Sequence, residues 1–232
     1  MEVQQRTAAE LYLDLLKKCL TRYLFGESYV PAVPPRGTLK HTAFEPVRRW
    51  LAGKDMEVIR HVPFDQQGRA EGRDWPARAE SMAGLKRLDN LLFCVTDVLR
   101  RGVPGDLIET GAWRGGVTIF MRAILEAYGD PDRRVWVADS FQGLPKPDPE
   151  RWPAEAGDEH WAVLRLDGDM YGSTMEALDA LYPKLSQGGY VIVDDYGAIP
   201  QCKEAVTDFR TAHGIIDPME PVDWTGVYWQ RS

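Results

Sequence analysis

Two apolar runs that each end in aspartates constrain this chain more than any other feature. Ala162-Val163-Leu164 leads into Leu166-Asp167-Gly168-Asp169, and Tyr190-Val191-Ile192-Val193 leads into Asp194-Asp195. Runs of this kind read as parallel strands buried on both faces, and ligands gather beyond the carboxyl ends of such strands. Two adjacent strands would bring the carboxylates of Asp167, Asp169, Asp194 and Asp195 to one rim. Such a group repels itself unless a cation sits within it. Oxygen ligands alone point to a hard divalent ion, with Mg2+ the default.

The rest of the C-terminal half agrees with a parallel α/β sheet. From Asp106 onward strand and helix signals alternate. Leu107–Glu109 reads as a strand, Gly116–Tyr128 as a helix, Val135–Asp139 as a strand and Trp161–Leu166 as another. Thr174–Leu185 and Gln201–Ala212 read as helices on either side of the strand Tyr190–Asp194, and the tail reads as a hairpin turning at Asp223–Gly226. Before this core (residues 105–232) lies a helical extension over 1–104. It has helices at Ala8–Leu24, Phe44–Ala52 and Ser81–Arg100, a loop over Phe25–Gly37, and a weakly patterned stretch from Leu39 to Arg78 suited to a lid.

Composition excludes several classes. A net charge of −7 on 232 residues leaves no electrostatic footprint for nucleic acid. The polar N-terminus lacks the apolar core of a signal peptide, and no stretch approaches a membrane span. Cys19, Cys94 and Cys202 lie far apart without a pairing pattern, so reduced thiols and a cytoplasmic location are expected. Cys202 alone stands near an expected helix N-terminus, where a thiolate would be stabilised, but no paired base accompanies it.

A second site is written between the first strand and its helix, in Glu109-Thr110-Gly111-Ala112-Trp113-Arg114-Gly115-Gly116. Glycines there let the backbone bend sharply and let a ligand approach the main chain. The spacing does not match the dinucleotide fingerprint, which disfavours a pyrophosphate and a nicotinamide oxidoreductase. An acid, Glu109, followed by the turn at Gly111 suits S-adenosylmethionine, which has no phosphate and carries a charged amino-acid end. Asp139 ends the second strand, where an acid typically accepts hydrogen bonds from ribose hydroxyls.

At this point a resemblance becomes specific. ETGAWRGG (109–116), VWVADSFQGLPKPD (135–148), LRLDGDMYGSTMEALDALYPKLSQGGYVIVDDY (164–196), GVYWQR (226–231), LYLDLLKKCL (11–20) and SMAGLKRLDNL (81–91) resemble the macrocin O-methyltransferase (TylF) family. The resemblance implies a doubly wound, Rossmann-like sheet and a methyl transfer from S-adenosylmethionine to a sugar hydroxyl of a glycosylated antibiotic, dependent on Mg2+. It implies Asp167, Asp194 and Asp195 as metal ligands and Asp169 as the general base. Glu109, Gly111 and Asp139 resemble cofactor contacts, with Trp113, Arg114 and Ser140 nearby and Asp167 at the same rim. Ser81 and Met82 resemble a segment closing over the cofactor. Relatives further suggest a homo-oligomer, a dimer, with the N-terminal helix and the Leu39–Arg78 segment packed between subunits.

The chemistry suits these residues. A sugar hydroxyl is a poor nucleophile, which a chelating cation would acidify and fix in line, and a carboxylate would take its proton. A catechol-like acceptor would chelate similarly, and a non-catalytic cofactor-binding scaffold is the reading from another class. One departure stands out. Between Asp139 and Trp161 only 21 residues, Ser140–His160, occupy a stretch where relatives fit another strand, part of the adenine pocket and a lid.

Overall fold

Alternate residues of the central strands feed two separate cores, one on each face of the sheet. The structure, a computed structural model, describes residues 5–26, 29–35, 37–76, 78–139 and 159–232. Ser140 and nearly all of the short stretch after it lie outside the described residues.

The sheet runs β4-β3-β5-β6-β8-β7, with β3 Asp106–Thr110, β4 Val135–Ala138, β5 Trp161–Leu166, β6 Leu185–Val193, β7 Glu220–Pro221 and β8 Val227–Gln230. Neighbours among β4, β3, β5 and β6 are parallel, and β8 and β7 close the sheet as the expected antiparallel hairpin. Leu107, Val163, Tyr190 and Ile192 pack with α1 (Ala8–Leu20), α4 (Leu85–Arg101) and α5 (Gly116–Ala127). The intervening Ile108, Leu164, Leu166, Val191 and Val193 pack with α6 (Tyr171–Leu181) and α7 (Pro200–Ala212). The two-residue period of a strand produces this division. Leu13 and Leu20 of α1 and Leu88, Leu91 and Val95 of α4 belong to the first core, so helices from the N-terminal extension cover one sheet face.

Several boundaries differ from the sequence expectation for identifiable reasons. The first helix stops at Leu20, not Leu24, because the Leu20 carbonyl accepts from the backbone N–H groups of Glu80 and Ser81, at 3.0 and 3.1 Å. A continuing helix would need that oxygen for the N–H of residue 24. The same pairing holds 80–83 out of the fourth helix, which begins at Leu85 after Gly84. The weakly patterned stretch contains α2, Leu39–Ala52, started by Thr38, whose side chain accepts from His41 N–H at 3.2 Å. It also contains α3, Gln66–Glu71, capped by Asp65. The expected loop over Phe25–Gly37 includes β1, Tyr29–Pro31, paired antiparallel with β2, Ile59–His61. A three-residue strand ending in proline and paired with a partner so distant in sequence has no local signature. Among the described residues no helix is long and apolar enough to cross a membrane.

Candidate active site

The functional side chains collect at the carboxyl ends of β3, β5 and β6. Gly111 follows β3 with φ +79°, and a Cβ there would run into the carbonyl oxygen of Asp167, so the turn needs glycine. The ends of β5, β3 and β4 are held in contact here: Asp167 N–H donates to Thr110 O and Gly111 N–H to Ala138 O, each at 3.0 Å. Asp139 Oδ2 accepts from the N–H groups of Ala112 and Trp113, at 2.7 and 3.2 Å, so this carboxylate faces the glycine turn. Trp113 has φ +51°, a left-handed conformation uncommon for a bulky residue. Its ring lies under the Arg114 guanidinium (4.3 Å to the centroid) and edge-on to Trp75 (6.3 Å).

The Ser81–Met82 segment reaches the same turn from the other side. Gly116 N–H donates to Glu80 O at 3.0 Å, and the Arg114 guanidinium donates to Ala79 O at 2.9 Å. Ser81 is buried, and Met82 O accepts from the buried Arg69 at 2.6 Å. Glu109 lies beneath the turn, 1% exposed. One of its oxygens accepts from Arg165 at 2.6 Å and the other from the Thr118 hydroxyl, so Glu109 braces the rim from inside.

Carboxylate oxygens of Asp167, Asp169 and Asp195 all lie within 4.8 Å of one another. Asp169 has φ +55° and does not cap the following helix: α6 begins after Met170 and has no side-chain cap. Asp194, expected beside them, lies just past the end of β6 with one carboxylate oxygen held by two arginines. It is 3% exposed, and its Oδ2 meets both Arg87 of α4 and Arg165 of β5 at 2.7 Å. Its Oδ1, like Oδ2 of Asp195, is buried without a hydrogen-bond partner.

Arg165 is the residue that the sequence reading passed over. It sits directly opposite Glu109 in the β3–β5 register and also reaches Asp167 at 3.1 Å. Its signal was a lone charge in a strand whose residues are otherwise apolar and entirely buried. A buried charge demands partners of opposite sign. Arg87 had no comparable signal, being one of many charges on a helix.

The electrostatics follow from this crowding. Burial pushes the Glu109 carboxyl up to about 7, outweighing Arg165. Burial, then Asp194, raises Asp167 well above the ordinary carboxylate range. Burial, then Asp194, pushes Asp195 up to about 6. Burial, then Asp167, raises Asp169. Asp194 alone is lowered: burial opposes its charge, but Arg165 and Arg87 outweigh burial. Raised carboxyl pKa values mean that the folded state holds protons more tightly than the unfolded chain. Their stabilising contribution is present at low pH and is lost as pH rises through about 6 and 7. In chelator, Tm is therefore expected to fall by roughly 5 °C between pH 5 and pH 7.5. A divalent cation should reverse more of that loss at pH 7.5 than at pH 5. A Tm that rises with pH in chelator would contradict this electrostatic picture. Cys202 is buried, and burial raises its thiol to about 11, which removes it as a nucleophile.

A mostly parallel sheet covered by helices on both faces, with a glycine turn and acids at its carboxyl rim, has the architecture of the Rossmann-like methyltransferases. Comparisons with known proteins define the family. The profile of the Macrocin-O-methyltransferase (TylF) family matches residues 9–162 and 156–231. The chain belongs to this family of O-methyltransferases. It is 40% identical to the 8-demethyl-8-(2,3-dimethoxy-alpha-L-rhamnosyl)-tetracenomycin-C 4'-O-methyltransferase of Streptomyces olivaceus, over 97% of this chain and 94% of that protein. It is 39% identical to the Mycinamicin III 3''-O-methyltransferase of Micromonospora griseorubida, over 97% and 98% of the two chains. Among solved structures, the O-methyltransferase NovP superposes with a TM-score of 0.75 at 36% identity, covering 97% of this chain and 99% of that one. The first alignment runs over 271 positions although this chain has 232 residues, so that relative carries residues without counterpart here. The two profile matches meet at 156–162, at the end of the short stretch expected to lack a strand and lid.

Proposed function

We propose that this enzyme transfers a methyl group from S-adenosylmethionine to a sugar hydroxyl of a glycosylated natural product, with Mg2+ as its metal. The observation that carries the reading is the group of Asp167, Asp169 and Asp195 oxygens within 4.8 Å at the sheet rim, beside a glycine turn closed over by Ser81–Met82. The orphaned, buried Oδ1 of Asp194 and Oδ2 of Asp195 fit a hard cation, because an acceptor buried without a donor costs about 1–3 kcal/mol or more. When bound, Mg2+ supplies Lewis acidity that lowers the pKa of a chelated acceptor hydroxyl.

This chain's residues then have separable tasks. Asp167, Asp194 and Asp195 would hold the metal. Asp169 accepts the hydroxyl proton as the C–O bond forms and the S–CH3 bond breaks, releasing neutral S-adenosylhomocysteine. Gly111, Trp113 and Arg114 shape the cofactor turn over Glu109, with Asp139 towards the ribose and Ser81 and Met82 above, and Ser140 is a further cofactor contact by the family motif. Residues 105–232 act as the cofactor core and 1–104 as its cover. The protein works in the cytoplasm as a homodimer, on a small glycoside and with no nucleic-acid or membrane partner. The relatives named for tetracenomycin and mycinamicin glycosides favour a sugar hydroxyl over a catechol.

Calorimetry with S-adenosylmethionine, with and without Mg2+, tests the reading. Saturable binding of cofactor is expected, and acceptor binding should require Mg2+. Absence of cofactor binding under both conditions rules the proposal out.

A further inference from the structure

Asp194 is fixed by more than its own strand. Arg87 Nη1 donates to Asp194 Oδ2 at 2.7 Å, while Arg87 Nε donates to Asp223 Oδ2 at 2.8 Å. The Asp223 side chain is fully buried, and its other oxygen accepts from the N–H groups of Thr225 and Gly226 at 3.0 and 2.8 Å. The turn so formed returns to the metal strand. Thr225 Oγ1 donates to Asp194 O at 2.9 Å and accepts from Ala198 N–H at 3.1 Å, and Gly197 N–H donates to Thr225 O at 2.7 Å. Arg165 holds the same Oδ2 from the other side, at 2.7 Å. Both donors to the Asp194 carboxylate among the described residues therefore converge on Oδ2, and Oδ1 is left buried and unpartnered.

We propose that Arg87, oriented by Asp223, is a positioning residue that sets the rotation of the Asp194 carboxylate so that Oδ1 is presented to the divalent cation. This rests on the metal reading above. It assigns a role in the site to the start of α4 and to the C-terminal hairpin, elements outside the strand-end motifs. A planar guanidinium suits the task because its Nε and Nη1 diverge in a fixed fork to two carboxylates. An ammonium offers one nitrogen in place of that fork. Groups that orient metal ligands typically cost about 10–100-fold in metal affinity when altered.

Mg2+ titration calorimetry on the full chain separates this role from two others. In Arg87→Lys the charge is unchanged and only the fork is lost. The dissociation constant for Mg2+ is expected to rise by about 10-fold or more, while circular dichroism stays that of the folded protein. Should Arg87→Lys prove unstable, Arg87→Met is read in the same way. Charge alone predicts tighter Mg2+ binding in Arg87→Met, because a nearby cation has been removed, whereas positioning predicts weaker binding. Wild-type affinity in Arg87→Lys, or tighter binding in Arg87→Met, overturns the proposal while leaving the metal site intact. A wild-type protein that takes up no Mg2+ overturns the metal reading itself, and this inference with it.

Discussion

Replacing Arg165 with methionine is expected to lower folding stability by about 3–5 kcal/mol at neutral pH, the usual cost of removing one partner from a buried ion pair. The guanidinium is 4% exposed and meets Glu109, Asp167 and Asp194 at 2.6, 3.1 and 2.7 Å. Methionine fills much of the same volume, so loss of packing contributes little and uncompensated negative charge dominates. Protonation is the only relief available without a cation. Glu109 and Asp167 already have raised pKa values and would take up protons first. The deficit should therefore shrink at pH 5, where the variant's carboxyls are more readily neutral. Urea unfolding of both proteins at the two pH values measures it. A loss below about 1 kcal/mol at pH 7.5 would mean that solvent, not Arg165, compensates these acids. Adding Glu109→Gln should recover part of the loss, because fewer charges are then stranded.

The sheet core was legible because its signals are local. Apolar runs of strand length, each ended by an acid, fixed β3, β4 and β5 and the carboxyl end of β6, and those ends placed Gly111, Asp139 and Asp167 on one rim, but β6 begins at Leu185, before the expected Tyr190 and where a helix was expected to end. The direction of each acid was not legible in the same way. Leu107, Glu109, Val163, Arg165 and Ile192 alternate onto the face covered by α4 and α5, and Asp194, just past the end of β6, meets Arg87 and Arg165, whereas Asp195, one residue further on, joins Asp167 and Asp169. Treating Asp194-Asp195 as one unit hid this difference. What escaped altogether depends on partners distant in sequence. Arg87 meets Asp223 across 136 residues, and the end of α1 is decided by the N–H groups of Glu80 and Ser81. The β1–β2 pair joins Tyr29 to His61 with no alternating pattern in either strand. Periodicity reports which face of an element is buried, not which distant donor competes for its last carbonyl.

Asp169→Asn should lower turnover by about 10²–10⁴-fold, the range expected when a positioned general base is lost. Asparagine keeps the size of the side chain and one carbonyl oxygen but cannot accept the hydroxyl proton in the working pH range. The residue is well placed for this: it is partly exposed, whereas Asp194 is buried, and its oxygen lies within 4.8 Å of those of Asp167 and Asp195. Its left-handed backbone is a conformation that aspartate tolerates better than most residues, and such conformations concentrate at functional sites. Metal affinity separates the base from the ligands. Mg2+ binding should change little in Asp169→Asn, whereas Asp195→Asn should weaken it by about 10-fold or more, because a neutral amide replaces a charged ligand. Single-turnover methylation at saturating Mg2+ and acceptor, followed from pH 5.5 to 9, is the measurement. A base acting in the reaction gives the wild type an acidic limb that Asp169→Asn lacks. Near-normal turnover with that limb intact would move the proton to another acceptor. Asp195 would then be the first candidate, since its pKa is raised to about 6 and its Oδ2 has no partner.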